Sequence, residues 1–82
     1  MSYDELCDLV RDSINQMQEC GTRAERIVIS SRLEQECRER HYKYTGSMVL
    51  RTFFGVPLEF KDLPRYLEFY IESEVATNEL EN

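Results

Sequence analysis

GSMVLRTFFGVPLEF, residues 46–60, carries apolar or aromatic side chains at almost every second position and a glycine at each of its joints. Alternation with a period of two is how a strand distributes its side chains between two faces. Residues 47–54 are therefore expected as a strand with Met48, Leu50 and Phe54 on one face and Val49, Arg51 and Phe53 on the other. After Gly55, the residues Val56, Leu58 and Phe60 share a face opposite Pro57, Glu59 and Lys61. The pattern predicts a hairpin pivoting near Gly55, where glycine permits a turn that other residues resist. Pro57 has no amide to give to a ladder, so its strand belongs at an edge or turns the proline outward.

Toward the N-terminus, Ser2 and Glu5 have the spacing of a capping box. Tyr3, Leu6, Val10, Ile14 and Met17 recur at three- and four-residue intervals, with Leu9 widening the stripe, so a first helix is predicted to end near Cys20 with Gly21 as its cap. Arg26-Ile27-Val28-Ile29 reads as a short β-branched strand stopped by Ser30 and Ser31. Ser31 and Glu34 repeat the capping-box spacing and open a second helix running to about Tyr42. Its apolar side gathers Leu33, Cys37, Arg40, His41 and Tyr44, and its wet side holds Arg32, Glu36 and Glu39.

Toward the C-terminus, Asp62-Leu63-Pro64-Arg65 is a break. Residues 66–72 fit two periods, but their aromatic and β-branched content favours a strand over a helix capped by Asp62 with Pro64 in its first turn. Residues 73–82 are expected as a short helix or a frayed acidic tail. The sum is an α+β fold: helix, strand, helix, antiparallel hairpin and a further strand, with the helices packed on a small single-layer sheet.

A chain of 82 residues with 41% hydrophobic and 32% charged side chains has room for one domain with one modest core. An enzyme carrying its own cofactor fold would be cramped in it. Three cysteines, Cys7, Cys20 and Cys37, form an odd set in a chain that starts without a signal-like apolar run, so a disulfide framework is not expected and a cytoplasmic setting is. No apolar run approaches the ~20 residues that span a bilayer. The formal charge of -6 is concentrated at the ends, with Asp4, Glu5, Asp8, Asp12 and Glu19 against Arg11, and Glu68, Glu72, Glu74, Glu79 and Glu81 with no base among them. Such a field disfavours a nucleic-acid backbone, suits a basic protein partner, and keeps a small domain soluble.

Cys37 and His41 stand four apart on the second helix, a spacing that serves two metal ligands or a thiolate and its base. No second pair completes a zinc set, and no further residue is marked to orient the histidine, so Cys37 reads first as a small buried hydrophobe. Asp8 and Asp12 share a helix face, where like charges are ordinarily solvated and mildly repulsive. No phosphate-binding glycine loop and no metalloprotease helix motif is present. No cofactor, metal or membrane is therefore expected. Arg38, Arg40 and Lys43 beside Tyr42 and Tyr44 make a basic and aromatic group of the kind that binds single-stranded nucleic acid, diluted by Glu36 and Glu39.

The run Ile27-Val28-Ile29-Ser30-Ser31-Arg32-Leu33, followed by Phe54-Gly55-Val56-Pro57-Leu58-Glu59-Phe60 and Asp62-Leu63-Pro64, resembles small accessory proteins of bacteriophages and prophages. The likeness covers residues 26–64 and rests on an I-x-x-S strand-to-helix corner and an F-G-x-P-hydrophobe hairpin. It implies a compact accessory or virion-associated protein in a host cell, with acidic ends suited to inhibiting a host factor, and carries no catalytic residues across.

The expectation is a noncatalytic domain that binds another protein or itself. Tyr42, Tyr44, Phe53, Tyr66 and Tyr70 exceed what so small a core can hold, and tyrosine favours surfaces that are part apolar and part wet. Glu68, Glu72 and Glu74 complete the candidate contact residues. Nucleic-acid binding through Arg38, Arg40 and Lys43 with Tyr42 and Tyr44 is the alternative, and a small cysteine-dependent enzyme using Cys37 and His41 the third.

Overall fold

The computed structural model describes residues 1–74. In chain order it comprises α1 (Tyr3–Glu19), β1 (Arg23–Ser30), a 3-10 turn (Ser31–Leu33), α2 (Glu34–Thr45), β2 (Thr52–Phe53), β3 (Val56–Lys61) and β4 (Phe69–Glu74). The strands form one mixed sheet in the order β2-β3-β1-β4, with β3 parallel to β1 and β4 antiparallel to it. This is the α+β arrangement that the residue periods indicate. Of residues 66–72, expected as strand, Phe69 to Glu72 are strand and Tyr66 to Glu68 belong to the turn before it; Ser73 and Glu74 complete β4 rather than opening the acidic tail, and residues 75–82 lie outside the described part.

Both ends of α1 are set by local chemistry. Ser2 Oγ accepts from the Glu5 amide at 3.2 Å while the Glu5 carboxylate accepts from the Ser2 amide at 3.1 Å, closing the capping box. At the other end the Thr22 amide bonds to the Met17 carbonyl and Gly21 to Gln18, a Schellman closure that needs the positive φ of Gly21. Between these ends Leu6, Val10 and Ile14 are buried against Ile27 and Ile29 of β1, with Cys37, Leu50 and Phe53 completing the core. Leu9, expected to widen the stripe, is 45% exposed on the flank of α1.

Helix α2 begins differently from its expected capping box. Ser30 Oγ, not Ser31, accepts the Arg32 amide and starts the 3-10 turn, and Leu33 precedes α2 with no side-chain cap. The helix continues to Thr45, three residues past the expected end, and stops where Gly46 adopts a φ of 78° and bonds to the Tyr42 carbonyl.

The expected hairpin forms, but its first strand is only two residues long. Phe54 and Gly55 both take positive φ, 53° and 79°, making the tight connection that suits the twist of a two-stranded ribbon. Residues 47–51 are not strand, so the expected period of two breaks between Leu50 and Phe53. Phe53, assigned to the outer face, is 6% exposed in the core and meets the Tyr3 ring edge-on at 6.2 Å. Phe54 and Met48, assigned inward, are half-exposed, whereas Leu50 is buried as expected. The Leu58 amide bonds to the Arg51 carbonyl on the β2 side, so Pro57, one residue earlier, directs its missing donor away from β2, before the parallel ladder begins at Leu58.

The helices cover the sheet face that carries Ile27 and Ile29. On the other face Val28 is also fully buried, between its cross-strand neighbours Glu59 and Tyr70. Arg26 bonds to Glu59 at 3.0 Å and reaches Glu72 at 3.6 Å, and Lys61 lies 3.7 Å from Glu59. These ion pairs lay a polar lattice across the uncovered face, over Val28.

Candidate functional site

Strand β4 occupies the outer position of the sheet beside β1. Its register pairs Ile29 with Phe69, Val28 with Tyr70 and Ile27 with Ile71, and the Ser30 amide donates to the Glu68 carbonyl at 2.8 Å. In an antiparallel pair the backbone groups of successive residues turn alternately toward and away from the neighbour. Glu68, Tyr70 and Glu72 thus spend theirs on β1, and Phe69 and Ile71 direct amide and carbonyl outward; Ser73 keeps the phase of Ile71 beside the cleft, opposite a shift in the β1 register between Ala24 and Arg26. Among the described residues, no strand pairs with that edge.

The edge adjoins a cleft. The α1 residues Ser13, Gln16, Met17 and Cys20 and the β4 residues Ile71 and Ser73 bound a depression of about 450 Å³ between the last turns of the helix and the strand. Leu9 lies one turn before Ser13 on the same flank of α1, and its exposed side chain extends the apolar border. A smaller hollow of about 200 Å³, lined by Arg11, Ile14, Gln18 and Phe54, lies on the opposite flank.

Arg32 holds the entry to β4. Because β3 and β4 lie on either side of β1, residues 62–68 must cross the end of that strand. The Arg32 guanidinium donates to the carbonyls of Leu63 at 2.9 Å, Leu67 at 3.2 Å, Arg65 at 3.4 Å and Pro64 at 3.5 Å, and to the Glu68 carboxylate at 3.2 Å. The Leu67 amide closes a turn onto the Pro64 carbonyl. Arg65 and Tyr66 occupy the tip, and Tyr66 is 87% exposed.

The residues singled out from the sequence separate into three groups. Tyr42, Tyr44 and Tyr66 are exposed, and Tyr70 lies half-buried on the uncovered sheet face. Glu68 and Glu72 belong to β4 and its entry but are already paired with Arg32 and Arg26, and Glu74 ends the strand. Phe53 is corrected from surface to core, so it offers a partner nothing in this fold.

Arg38 and Arg40 are engaged within the molecule. Arg38 bonds to Glu34 and to the Met48 carbonyl, each at 3.0 Å, and stacks over Phe60. Arg40 bonds to Asp4 at 3.1 Å and lies over the Tyr3 ring. Lys43 alone of the three is fully at the surface, in the last turn of α2. On α1, Arg11 bridges Asp8 and Asp12 at 3.3 and 3.6 Å, offsetting their repulsion while the exposed trio keeps one net negative charge.

Cys37 is 1% exposed, and desolvation pushes its thiol from 9.0 up to about 12, with nearby Cys7 adding to the shift. His41 stands one turn along α2, half-buried, its carbonyl accepting from Thr45 Oγ1. In this apolar setting the thiol packs as a small core side chain. Burial likewise raises Cys7, whereas Cys20 is exposed at the cleft. Among the described residues, no group of three or more His, Cys, Asp or Glu side chains is arranged to hold a metal, and no helix is long and apolar enough to cross a membrane.

The edge residues Phe69, Ile71 and Ser73 and the lock residue Arg32 were not among the candidates read from sequence. The alternation of 69 to 73 signals a strand, but nothing local shows which side of it is left unpaired. Among the described residues, fold and site form a small α+β domain in which the β4 edge lies open beside a helix-lined cleft. No family model, curated protein or solved structure matches the chain.

Proposed function

We propose that the protein is a noncatalytic interaction domain that binds an extended polypeptide segment by adding it as a strand along β4. The observation that carries this reading is the row of outward backbone groups on Phe69 and Ile71, continued in phase by Ser73 and flanked by the cleft that Ile71 and Ser73 share with α1. Edge backbone supplies affinity in strand addition, and a neighbouring pocket for alternate side chains supplies selectivity. Glu68 and Asp4 are each paired with an arginine, whereas Asp8 with Asp12 and Glu59 with Glu72 share one arginine per pair, so the surface keeps part of its negative charge. The resemblance of residues 26–64 to small phage and prophage proteins supports an accessory role in a host cell, on a host protein or within an assembly. Nucleic-acid binding is the weaker reading, since Arg38 and Arg40 would have to abandon their carboxylate and ring contacts to reach phosphate.

Ser73→Pro tests the edge directly. Ser73 keeps the outward phase of Ile71, so proline removes an edge donor without removing a β1–β4 hydrogen bond. Captured partners at cellular concentration should be lost with the folded variant and kept by the natural chain. A partner set unchanged by the substitution sinks the edge reading.

A further inference from the structure

We infer that Cys7 and Cys37 are a redox pair: hydrogen peroxide closes a disulfide between them that staples α1 to α2, and a thiol reductant opens it. The staple sits at the start of α1, away from the cleft at that helix's last turns and from whatever binds β4.

Three contacts lay the start of α1 against α2. The Tyr3 amide donates to Glu36 Oε2 at 3.1 Å, Arg40 bonds to Asp4 at 3.1 Å, and the Arg40 guanidinium lies 5.1 Å from the centre of the Tyr3 ring. Tyr3 therefore rests on the turn of α2 between Glu36 and Arg40, and the first residue inside that turn is Cys37. Cys7 follows Tyr3 by one turn on the same face of α1. Cys37 belongs to the buried core cluster, and both Tyr3 and Cys7 pack against that cluster.

Electrostatics agrees with this placement. The Tyr3 side chain bonds to the Cys7 thiol and is also influenced by Cys37. Burial is the main cause that raises the Cys37 thiol, and Cys7 comes next, ahead of Glu36 beside it in the chain. The two helices bring Cα atoms to within 8 Å of each other. Helices in contact lie ~8–10 Å apart with Cα atoms ~2.3 Å from each axis, so facing Cα atoms fall ~3.5–5.5 Å apart, overlapping the ~4.4–6.8 Å that a disulfide spans. Cys20 has no place in the pair. It stands thirteen residues beyond Cys7, ~20 Å along a helix, and is exposed.

The two thiols differ in access, and that orders the chemistry. Cys7 is partly exposed and meets the peroxide, whereas Cys37 is 1% exposed and does not have to. The Cys7 sulfur attacks one peroxide oxygen, the O–O bond breaks, and the departing hydroxide takes up the thiol proton as water, leaving a sulfenic acid. The Cys37 sulfur then attacks the Cys7 sulfur, the S–O bond breaks, and the second hydroxide leaves with the Cys37 proton as water. Two thiols give up two electrons and one peroxide becomes two waters. Burial raises both thiols and slows the attack, so the pair answers sustained oxidation rather than a brief pulse. Once closed, the link encloses residues 8–36, which hold the rest of α1 and all of β1. A covalent loop of about 30 residues restrains the unfolded chain and so stabilises the folded one.

The 82-residue chain carrying Cys20→Ser, which removes the exposed thiol, is treated with excess hydrogen peroxide below its unfolding transition, and its peptides are mapped by mass spectrometry without reduction. The expected product is a linked Cys7–Cys37 peptide that dithiothreitol separates, in a chain whose Tm has risen by ~10 °C or more. Adding Cys37→Ala should leave Cys7 as a sulfenic acid that takes up dimedone, and adding Cys7→Ala should leave Cys37 unoxidised. Pairing in the folded chain also requires a linking rate that low urea does not change. Absence of the link, or sulfinic acid at Cys7 while Cys37 stays reduced, overturns the pair. A rate that climbs with the unfolded fraction, or a link that lowers Tm, assigns the disulfide to the unfolded chain and overturns the staple. Oxidation of Cys37 in the Cys7→Ala chain overturns the order of the steps.

Discussion

Replacing Arg32 with alanine removes one side chain from five acceptors, yet the five contacts are not five full hydrogen bonds. Nη1 makes one good bond, to the Leu63 carbonyl at 2.9 Å. Nη2 has two protons and faces four acceptors between 3.2 and 3.5 Å, of which Leu67 and Glu68 are nearest. About three effective bonds are lost, each worth ~0.5–1.5 kcal/mol net, and the value belongs at the low end because water can reach the carbonyls once the guanidinium is gone. The expected loss is ~2 kcal/mol, which for a domain of this size is a fall in Tm of ~8–16 °C. Urea unfolding followed by circular dichroism measures it, with the m-value unchanged because the buried surface is nearly the same. Arg32→Lys should recover less than half, since one ammonium cannot reach carbonyls spread from Leu63 to Leu67 as a planar fork does. Hydrogen exchange should show the loss around Ser30 and residues 67–70 before α1 responds, because the Ser30 amide depends on the position of the Glu68 carbonyl. A loss below ~0.5 kcal/mol, or a lysine variant as stable as the natural chain, would refute the claim that this guanidinium fixes the crossing.

Cys37 makes stability fall on the alkaline side. Its thiol is raised in the folded chain from 9.0 to about 12, so its contribution is complete below about pH 9 and declines as pH rises toward the folded value, because the unfolded chain gives up its proton first. Urea midpoints between neutral and alkaline pH should decline less steeply for Cys37→Ala than for the natural chain, Cys7 keeping a residual slope of the same sign; identical slopes would contradict it. At the hairpin, Gly55→Ala should cost ~1–2 kcal/mol from the left-handed backbone alone, since a methyl group there meets no atom within 4 Å, and Gly55→Asn should cost less. Chemical denaturation distinguishes the two, and an alanine variant as stable as glycine would mean that the turn does not hold its positive φ.

The limits of sequence reading are clearest at Phe53 and Phe54. The alternation of residues 47–54 is real, but it counts Phe54 as a strand residue. Only Thr52 and Phe53 are strand; residues 47–51 are irregular, and the alternation breaks between the buried Leu50 and the buried Phe53, which puts Phe53 rather than Phe54 in the core. The capping error at α2 has a similar origin: Ser30 and Ser31 are adjacent and chemically equivalent, and the 3-10 turn decides which hydroxyl meets an amide. The candidate arginines show a different limit. Arg38 and Arg40 look basic in the chain, and packing against Phe60 and Tyr3 turns them into brackets.

What the sequence by itself determined is what lies within a few residues along the chain. The capping box of α1, its buried stripe, the glycine closures at Gly21 and Gly46, and the strand character of residues 26–29 and 69–72 are all contacts or periods of that range, and they were readable because the interacting groups are neighbours in the chain. Strand order, the open edge of β4 and the role of Arg32 belong to tertiary structure alone. The carbonyls that Arg32 gathers are 31 to 35 residues away, and only the crossing of β1 brings them to it. An edge is likewise a property of neighbours: residues 69–73 would show the same alternation in the middle of a sheet, and it is the placement of β1 on one side that leaves Phe69 and Ile71 with backbone groups directed outward on the other.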